Sequence, residues 1–261
     1  MDGQMRGQDS RGARFGRRSF LVGAASIIAA RAAAADLTAD GVRALLAAPA
    51  GAAVPDLSGR DLAGLDLAGI DFRGANLTGA NLKRAKLAGA DLSNAIIDLA
   101  ILRGADLRGA RLRNAKAFST ILAEADLTGA DLSGAKLVAN LENAKLAGAK
   151  LAAIAAGADM RNQSMGLMRL SLRNADLTKA DLAGADLSRA MLEFADFSDA
   201  DLEGANLMSA QAGGADFSGA DLAGANFTNL DIQGARFSGA KGIDKIIGLD
   251  AAQHKNTARF D

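Results

Sequence analysis

Several residue types are scarce in this chain, and each scarcity removes a class of protein. There is no cysteine, so disulfides and cysteine nucleophiles are excluded. With one histidine, His254, and no cysteine, an ordinary zinc site and a Cys/His nucleophilic site are excluded, and the serines of the repeat have no base beside them. Tryptophan and tyrosine are absent, and there are only 2 prolines. Stability must therefore come from backbone hydrogen bonds and a narrow core of small aliphatic residues.

A period of five residues dominates the remaining composition. Between Leu57 and Leu137, 16 of the 17 residues spaced five apart are Leu, Ile or Phe, and Ala117 is the exception. Between Leu167 and Phe237, 14 of 15 such residues obey the same rule, and Ala212 is the exception. This period fits neither the 3.6 residues of an α-helix nor the alternation of an ordinary strand, so it indicates a repeat architecture.

The repeating unit itself predicts which side chains point inward. In a short extended segment the central Leu or Phe and the Ala two positions earlier lie on one side, and the Asp or Asn between them lies on the other. Glycines such as Gly59 and Gly64 follow where the chain must turn. Four such sides make a coil of twenty residues. Phe197, Phe217 and Phe237, each twenty residues apart, then form one stacked column inside it.

Units such as Ala125-Asp126-Leu127-Thr128-Gly129 closely resemble those of the pentapeptide-repeat family. The resemblance covers about 70% of the chain and implies an all-β fold, a right-handed quadrilateral parallel β-helix. It says little about function, because the repeated residues are the fold itself. Some members of the family resemble B-form DNA in width and negative charge and bind DNA topoisomerases.

The N-terminus has the features of an export signal. Five arginines precede an apolar stretch that is too short to span a bilayer comfortably, and Ala33 and Ala35 form an A-x-A cleavage motif before Asp36. Arg17 and Arg18, followed by Phe20 and Leu21, resemble the twin-arginine export signature. An ordinary secretion signal and an uncleaved anchor are the alternatives. We expect a periplasmic or secreted protein with no stable membrane span once the signal is removed.

The pattern divides the chain into four parts. We predict a signal peptide at 1–35, a capping helix and linker at 36–54, the β-helix at 55–241 and a C-terminal cap at 242–261. The helix is predicted from Thr38 onward, with an apolar stripe of Val42, Leu45 and Leu46. The repeat loses step at about 139–168, where we expect an irregular insertion. Within it, residues 152–168 are predicted to form a protrusion or a kink between two stacks; a tolerated insertion without a role is the alternative.

Charge is unevenly distributed along the predicted coils. Residues 81–116 carry eight bases and three acids, whereas residues 176–221 carry ten acids and two bases. Twenty-residue stacking places Asp176, Asp196 and Asp216 in one ladder, and a second acidic ladder lies beside it. Either hydrogen bonds to the turn backbone or a cationic partner must offset the repulsion; a solvated face screened by salt is the simpler interpretation.

Apolar residues in outward slots mark a candidate interface. Ile96, Ile101 and Ile121 stand where the repeat usually has Asp, Asn or Lys. Phe118 and Val138 stand in the following outward slot. Stacking gathers these five side chains around one edge, and a contiguous apolar group rimmed by charge often marks an interface. The alternatives are that residues 152–168 cover the group, or that a slip at Ala117 turns Phe118 inward.

These patterns favour a non-enzymatic exported scaffold or interaction module, with an unknown protein partner or a second copy of the chain. No catalytic residues, metal site or cofactor are predicted, and no nucleic acid is expected as a partner. Two alternatives stay open. One is a DNA-mimicking topoisomerase-binding protein, supported by the acidic half; the other is a secreted enzyme built on a β-helix, for which the sequence offers no site.

Overall fold

The computed structural model describes residues 37–47, 56–156 and 169–260. The predicted signal peptide, including Arg17, Arg18, Phe20, Leu21, Ala33 and Ala35, lies outside the described residues. The first element is helix α1, Ala39–Leu46, and almost all of the rest is a stack of coils joined by parallel backbone pairing.

Helix α1 begins with a hydrogen-bonded cap and contacts the first coils. The Thr38 hydroxyl accepts a hydrogen bond from the Gly41 N–H at 3.1 Å, which satisfies a donor of the first turn. Val42 is fully buried, and Leu46 packs against the same core. Leu45, predicted to share this stripe, is instead 51% exposed, because the short helix buries only one narrow side. Arg43 Nη2 donates to the Asp66 carbonyl at 3.0 Å. The capping role of α1 stays a prediction.

Each coil has four sides of five residues, and each side pairs with the side one coil later. We name the sides face 1, face 2, face 3 and face 4, beginning at Asp56, Asp61, Asp66 and Asp71 respectively. Parallel bridges join residues twenty apart on every face, such as Asp61 with Asn81 on face 2. The predicted twenty-residue coil is therefore confirmed.

The corner between two sides is a hydrogen-bonded turn. At a representative corner the Ala130 N–H donates to the Leu127 carbonyl at 2.9 Å, and Gly129 between them has φ +65°. A positive φ at the third turn position is the signature of a type II turn, which explains the frequent glycine there. The outward Asp126 also accepts the Thr128 N–H at 3.1 Å. Its carboxylate thus stabilises the corner, as the sequence predicted for these acids.

The core consists of the central residues and the alanines between them. Leu127, Phe197 and Leu222 are fully buried, in agreement with the predicted inward positions. The rings of Phe197 and Phe217 stack at 5.0 Å, and so do those of Phe217 and Phe237. Phe260 continues the column at 4.7 Å from Phe237. The sequence period missed Phe260 because the last coil is three residues longer than twenty, as the pairing of Arg236 with Arg259 shows.

The five-residue frame is first interrupted on face 1, where one side is one residue short. Strand β1, Lys116–Ile121, pairs in parallel with strand β2, Lys136–Asn140, and the register shifts between Phe118 and Thr120. The side that begins at Lys136 has four residues rather than five, so Asp126 pairs with Lys145 at a separation of nineteen. The ladder continues on all four faces beyond the shift.

The irregular region predicted at 139–168 is shorter than expected. Residues 140–156 form regular sides, and Leu141, Leu146 and Leu151 occupy buried central positions. Asn140 then pairs with Ser171, and Lys145 with Asp176, both at a separation of thirty-one. Four successive bridges thus join the coil before these extra residues to the coil after them, so the ladder is continuous there. The predicted protrusion or kink at 152–168 falls mostly on residues that the structure does not describe and stays a prediction. Residues 157–168 lie outside the described residues.

The segment predicted as a separate C-terminal cap continues the ladder instead. Its described part contains three short 3₁₀ helices, Ile243–Lys245, Leu249–Ala251 and Lys255–Thr257. Between them Ile247 pairs with Asn226, and Gln253 pairs with Asp231. The 3₁₀ turns lengthen the sides, which is why the five-residue frame ends in the sequence while the coil does not.

Replacing Ala185 with Leu is expected to destabilise the fold. Ala185 is fully buried between stacked coils, and a larger side chain there should overpack the core and lower the free energy of unfolding by about 1–3 kcal/mol. Denaturant unfolding followed by circular dichroism measures this change. Ala68→Leu at an exposed corner is the matched control and should change stability by less than about 0.5 kcal/mol. Equal effects of the two variants would contradict the inward assignment.

Candidate functional site

The candidate interface forms one contiguous edge where face 1 meets face 2. Ile101 and Ile121 pair directly on face 2 and are each 38% exposed. Phe118 pairs with Val138 on face 1 and is 41% exposed, whereas Val138 is half-buried. Ile96 is also half-buried. The structure therefore brings all five sequence-predicted residues to neighbouring positions on two adjoining faces.

Phe118 points outward, so the alternative of a local slip that turns it inward is wrong. Ala117 takes the buried central position, and the Phe118 N–H donates to Asp98 Oδ1 at 2.8 Å. Thr120 is buried where most coils have alanine, and its hydroxyl donates to the Ile97 carbonyl at 2.8 Å. Thr120 is larger than the alanine usually found in its slot and fills space beside the small Ala117. The core is therefore packed without the Phe118 ring.

Leu99 belongs to the same edge and was not identified from the sequence. It is 57% exposed and occupies the corner between Asp98 and Ile101, with φ +60°. Its N–H donates to the Phe118 carbonyl at 2.8 Å. The corner slot has a positive φ throughout the regular coils, so the turn imposes this conformation on Leu99 although a bulky side chain disfavours it. Its presence in a slot that usually holds Gly or Asn was the available sequence signal. We call Ile96, Leu99, Ile101, Phe118, Ile121 and Val138 the apolar edge.

A groove of about 230 Å³ continues from the apolar edge along face 2. Ile121 and Val138 line it at the end next to the apolar edge, and Met191 lines it further along. Polar groups lie between them, among them Arg169 and Ser171. The groove lies beside the four-residue side and beside the point where the chain returns at Arg169, so both irregularities of the coil meet there.

The charged residues around the apolar edge are mostly cationic. On faces 1 and 2 between Asn76 and Ser171 the described residues include six cations and three acids, a net charge of +3. The cations are Lys83, Arg84, Arg103, Lys116, Lys136 and Arg169, and the acids are Asp98, Glu124 and Glu142. The apolar edge thus has the composition of an interface core with a basic rim.

Phe194 is a second exposed apolar side chain on face 2, away from the apolar edge. It is 69% exposed at a corner with φ +61°. Its ring lies so close to the next corner that a Cβ on Gly214 would be 2.6 Å from it. The absence of a Cβ at Gly214 therefore leaves room for the ring. The five-residue pattern of inward and outward residues did not identify Phe194, because it occupies a corner slot.

Faces 3 and 4 carry the predicted acidic ladders in the second half of the chain. Asp196 pairs with Asp176 and Asp216, and Asp201 pairs with Asp181 and Asp221. Partial burial raises the pKa of Asp216, but hydrogen bonds from the Ser218 hydroxyl and N–H and the ion pair with Arg236 lower it further, so its pKa lies below the ordinary value. At Asp216, the turn hydrogen bonds and the neighbouring Arg236 thus stabilise the charge within the chain.

The single histidine pairs with an acid, and no cluster of metal ligands surrounds it in the described residues. His254 Nδ1 lies 2.8 Å from Asp231 Oδ1 on an exposed surface, with no serine nucleophile in this pair. No group of three potential ligands for a metal ion occurs in the described part of the chain. Helices in that part also lack the length and hydropathy of a membrane span.

Comparison with known families identifies the class of protein. A family model described as pentapeptide repeats matches 56–94, 75–114, 100–134, 171–207 and 205–241. Together these ranges cover residues 56–134 and 171–241, which is more than half of the chain. The chain therefore belongs to the pentapeptide-repeat family, whose fold is the right-handed β-helix that the resemblance implied.

Solved structures of other pentapeptide-repeat proteins are similar to this chain. HetL from the cyanobacterium Nostoc sp. strain PCC 7120, involved in heterocyst differentiation regulation, is 33% identical over 76% of this chain and 86% of its own, with a TM-score of 0.34. QnrB1, a plasmid-mediated fluoroquinolone resistance protein, is 20% identical over 72% of this chain and 94% of its own, with a TM-score of 0.39. No curated protein sequence matches this chain significantly.

Acid should destabilise the protein through carboxylates such as Asp216. Its pKa in the folded state lies below the ordinary value of 3.8, so the unfolded chain binds more protons as the pH falls. The contribution of Asp216 to stability is present above about pH 4 and is lost as the pH falls through the folded-state pKa. Thermal unfolding by circular dichroism between pH 7 and pH 3 should therefore show a falling midpoint.

The variant Asp216→Asn isolates this contribution. Asparagine keeps the oxygen that accepts the Ser218 N–H but has no charge for Arg236. The variant should be less stable than the wild type at pH 7, and the difference should shrink toward pH 3. Arg236→Gln is the matched control and should show the same convergence. A difference that does not change with pH would contradict the assigned cause.

Proposed function

We propose that this protein is a non-enzymatic, exported pentapeptide-repeat module that binds a protein partner through the apolar edge. The observation that carries the proposal is the cluster of six outward apolar side chains on adjoining faces, three of which are held by paired strands β1 and β2. A backbone already ordered by the ladder loses little conformational freedom on binding, which favours association.

The side chains of the apolar edge contribute little to the stability of the fold. This favours a binding role for them over a structural one. The core of these coils is formed by inward residues such as Leu102 and Leu122, which are fully buried. The backbone ladder runs through Ile101 and Ile121 irrespective of their side chains, since the Ile121 N–H donates to the Ala100 carbonyl. Partly exposed isoleucines in these positions therefore have no evident role within the coil.

Crosslinking at the apolar edge tests this proposal. A photoreactive phenylalanine analogue at position 118 should give a discrete adduct with a partner protein in the cells that produce this chain, identified by mass spectrometry. The same analogue at position 128, an exposed slot on face 3, is the control and should give no such adduct.

The double variant Ile101→Asp and Ile121→Asp separates binding from stability. It should abolish the adduct at position 118 while the melting temperature stays within a few degrees, because both side chains point away from the core. A large fall in melting temperature, with no adduct in the wild type to lose, would show that the cluster is structural.

Export is part of the proposal and rests on the N-terminal sequence. Replacing Arg17 and Arg18 together with lysine should leave the precursor in the cytoplasm, because the twin-arginine signature requires both arginines. Cell fractionation with N-terminal sequencing measures this, and the exported wild type should begin near Asp36. Continued export of the variant would indicate the general secretion route.

A second candidate function is topoisomerase binding through DNA mimicry. The acidic ladders on faces 3 and 4 favour it, because they present a regular line of negative charge. Location distinguishes it from the first candidate: a processed protein found outside the cytoplasm has no access to a cytoplasmic topoisomerase. The same fractionation experiment therefore decides between the two.

A further inference from the structure

The charge around the apolar edge restricts what the partner can be; this inference rests on the proposed function. The rim cations lie on both sides of the apolar residues. Lys116 and Lys136 are exposed on face 1, two residues before Phe118 and Val138 respectively. Arg103 lies on face 2, two residues after Ile101, and the Arg84 side chain extends over the neighbouring Gly104 corner. A partner on the edge therefore meets positive charge in both directions.

The chain itself offsets only part of this positive charge. In the described part of the protein, Lys83, Lys116 and Lys136 have no ion pair within 4.0 Å. The three rim acids offset part of the cationic charge. Glu124 pairs with Arg103, whereas Asp98 accepts the Phe118 N–H and Glu142 accepts the Ser171 hydroxyl at 3.0 Å, hydrogen bonds that do not cancel a carboxylate's charge. The rim that a partner meets therefore has the net charge of +3 given above.

The groove adds shape to this surface. It extends along face 2 from Ile121 past Asn140 and Ser171 to Met191, three coil spacings or roughly 14 Å. An extended peptide of about four residues has this length. The walls present the apolar groups Ile121, Val138 and Met191 together with the guanidinium of Arg169.

We propose that the apolar edge and the groove together bind an extended peptide segment in which apolar side chains are interspersed with Asp or Glu. The apolar side chains contact Ile101, Phe118 and Ile121, and the carboxylates face Lys116, Lys136 and Arg169. Complementary charge at the rim raises the association rate and selects the partner, while the apolar contacts supply most of the affinity.

A second copy of the chain does not satisfy these requirements. A two-fold dimer places the same patch against itself, so two rims that each have a net charge of +3 would be brought together. The acidic ladders lie on other faces, and the outward residues that build them, such as Asp196 and Asp201, are carboxylates rather than apolar groups. An anionic bilayer matches the charge but is flat, and it leaves the concave groove unused.

Peptide selection tests the inference with the full-length chain. A random phage-displayed library of peptides of about 12 residues, longer than the groove, is selected on the immobilised protein. Clones that also bind Ile101→Asp/Ile121→Asp are removed. The surviving peptides should be enriched in Asp or Glu together with Leu, Ile, Phe or Met. Survivors without acidic residues, or no survivors, would overturn the inference.

Charge variants then locate the bound carboxylates. The selected peptide, measured by fluorescence anisotropy, should lose roughly fivefold to tenfold in affinity on Lys116→Gln/Lys136→Gln and should bind more weakly as salt rises. The matched control Lys145→Gln/Lys150→Gln removes the same charge from exposed positions on faces 3 and 4 and should leave the affinity unchanged. Equal losses in the two variants would show that the rim does not select the peptide.

Two further outcomes separate this inference from its alternatives. Flotation with phosphatidylcholine vesicles containing about 30% phosphatidylserine should leave the protein unbound; binding that Ile101→Asp/Ile121→Asp abolishes would assign the edge to a lipid surface instead. If the adduct at position 118 forms but acidic peptides are not selected, only the partner chemistry is wrong. If no adduct forms, the proposed function itself fails.

Discussion

The parallel backbone ladder between successive coils is the interaction on which the rest of this protein depends. Each face pairs with the same face of the next coil, and each corner closes with a turn whose carbonyl and N–H groups are also satisfied. This arrangement leaves only two inward side chains per side, so the core accepts leucine or phenylalanine in one position and mostly alanine in the other. A coil buries little alone, and stability is the sum of contacts between neighbouring coils.

The ladder also explains how the fold tolerates irregular sequence. One residue is missing between Lys136 and Asn140, and extra residues precede Ser171, yet the bridges resume in register on every face. Pairing is restored because each later side still presents the same alternation of inward and outward residues. The missing residue and the extra residues before Ser171 both fall near the corner between faces 1 and 2, which is also where the groove and the apolar edge lie. The ladder is continuous there, and the outward residues differ from those of the regular coils.

Function in such a fold must be located on the outward positions, because the inward ones are determined by the coil. The outward residues differ between the two halves of the β-helix. In the second half the outward carboxylates stabilise turns and form acidic ladders. In the first half apolar side chains replace them at one edge, surrounded by cations. The proposed partner contacts follow from this difference between surfaces and not from the fold, which is shared across the family.

The sequence alone determined the coil length, the inward residues and the five neighbouring apolar positions, because a period of five with four sides admits one stacking register. The period alone did not identify Leu99, Phe194 or Phe260. The first two are marked only by an apolar residue in a slot that usually holds Gly or Asn, and the third follows sides lengthened by 3₁₀ turns. Nor could the period show that residues 140–156 stay in the stack. Only the tertiary structure decided these points, because pairing between coils, and not spacing along the chain, defines which residues become neighbours.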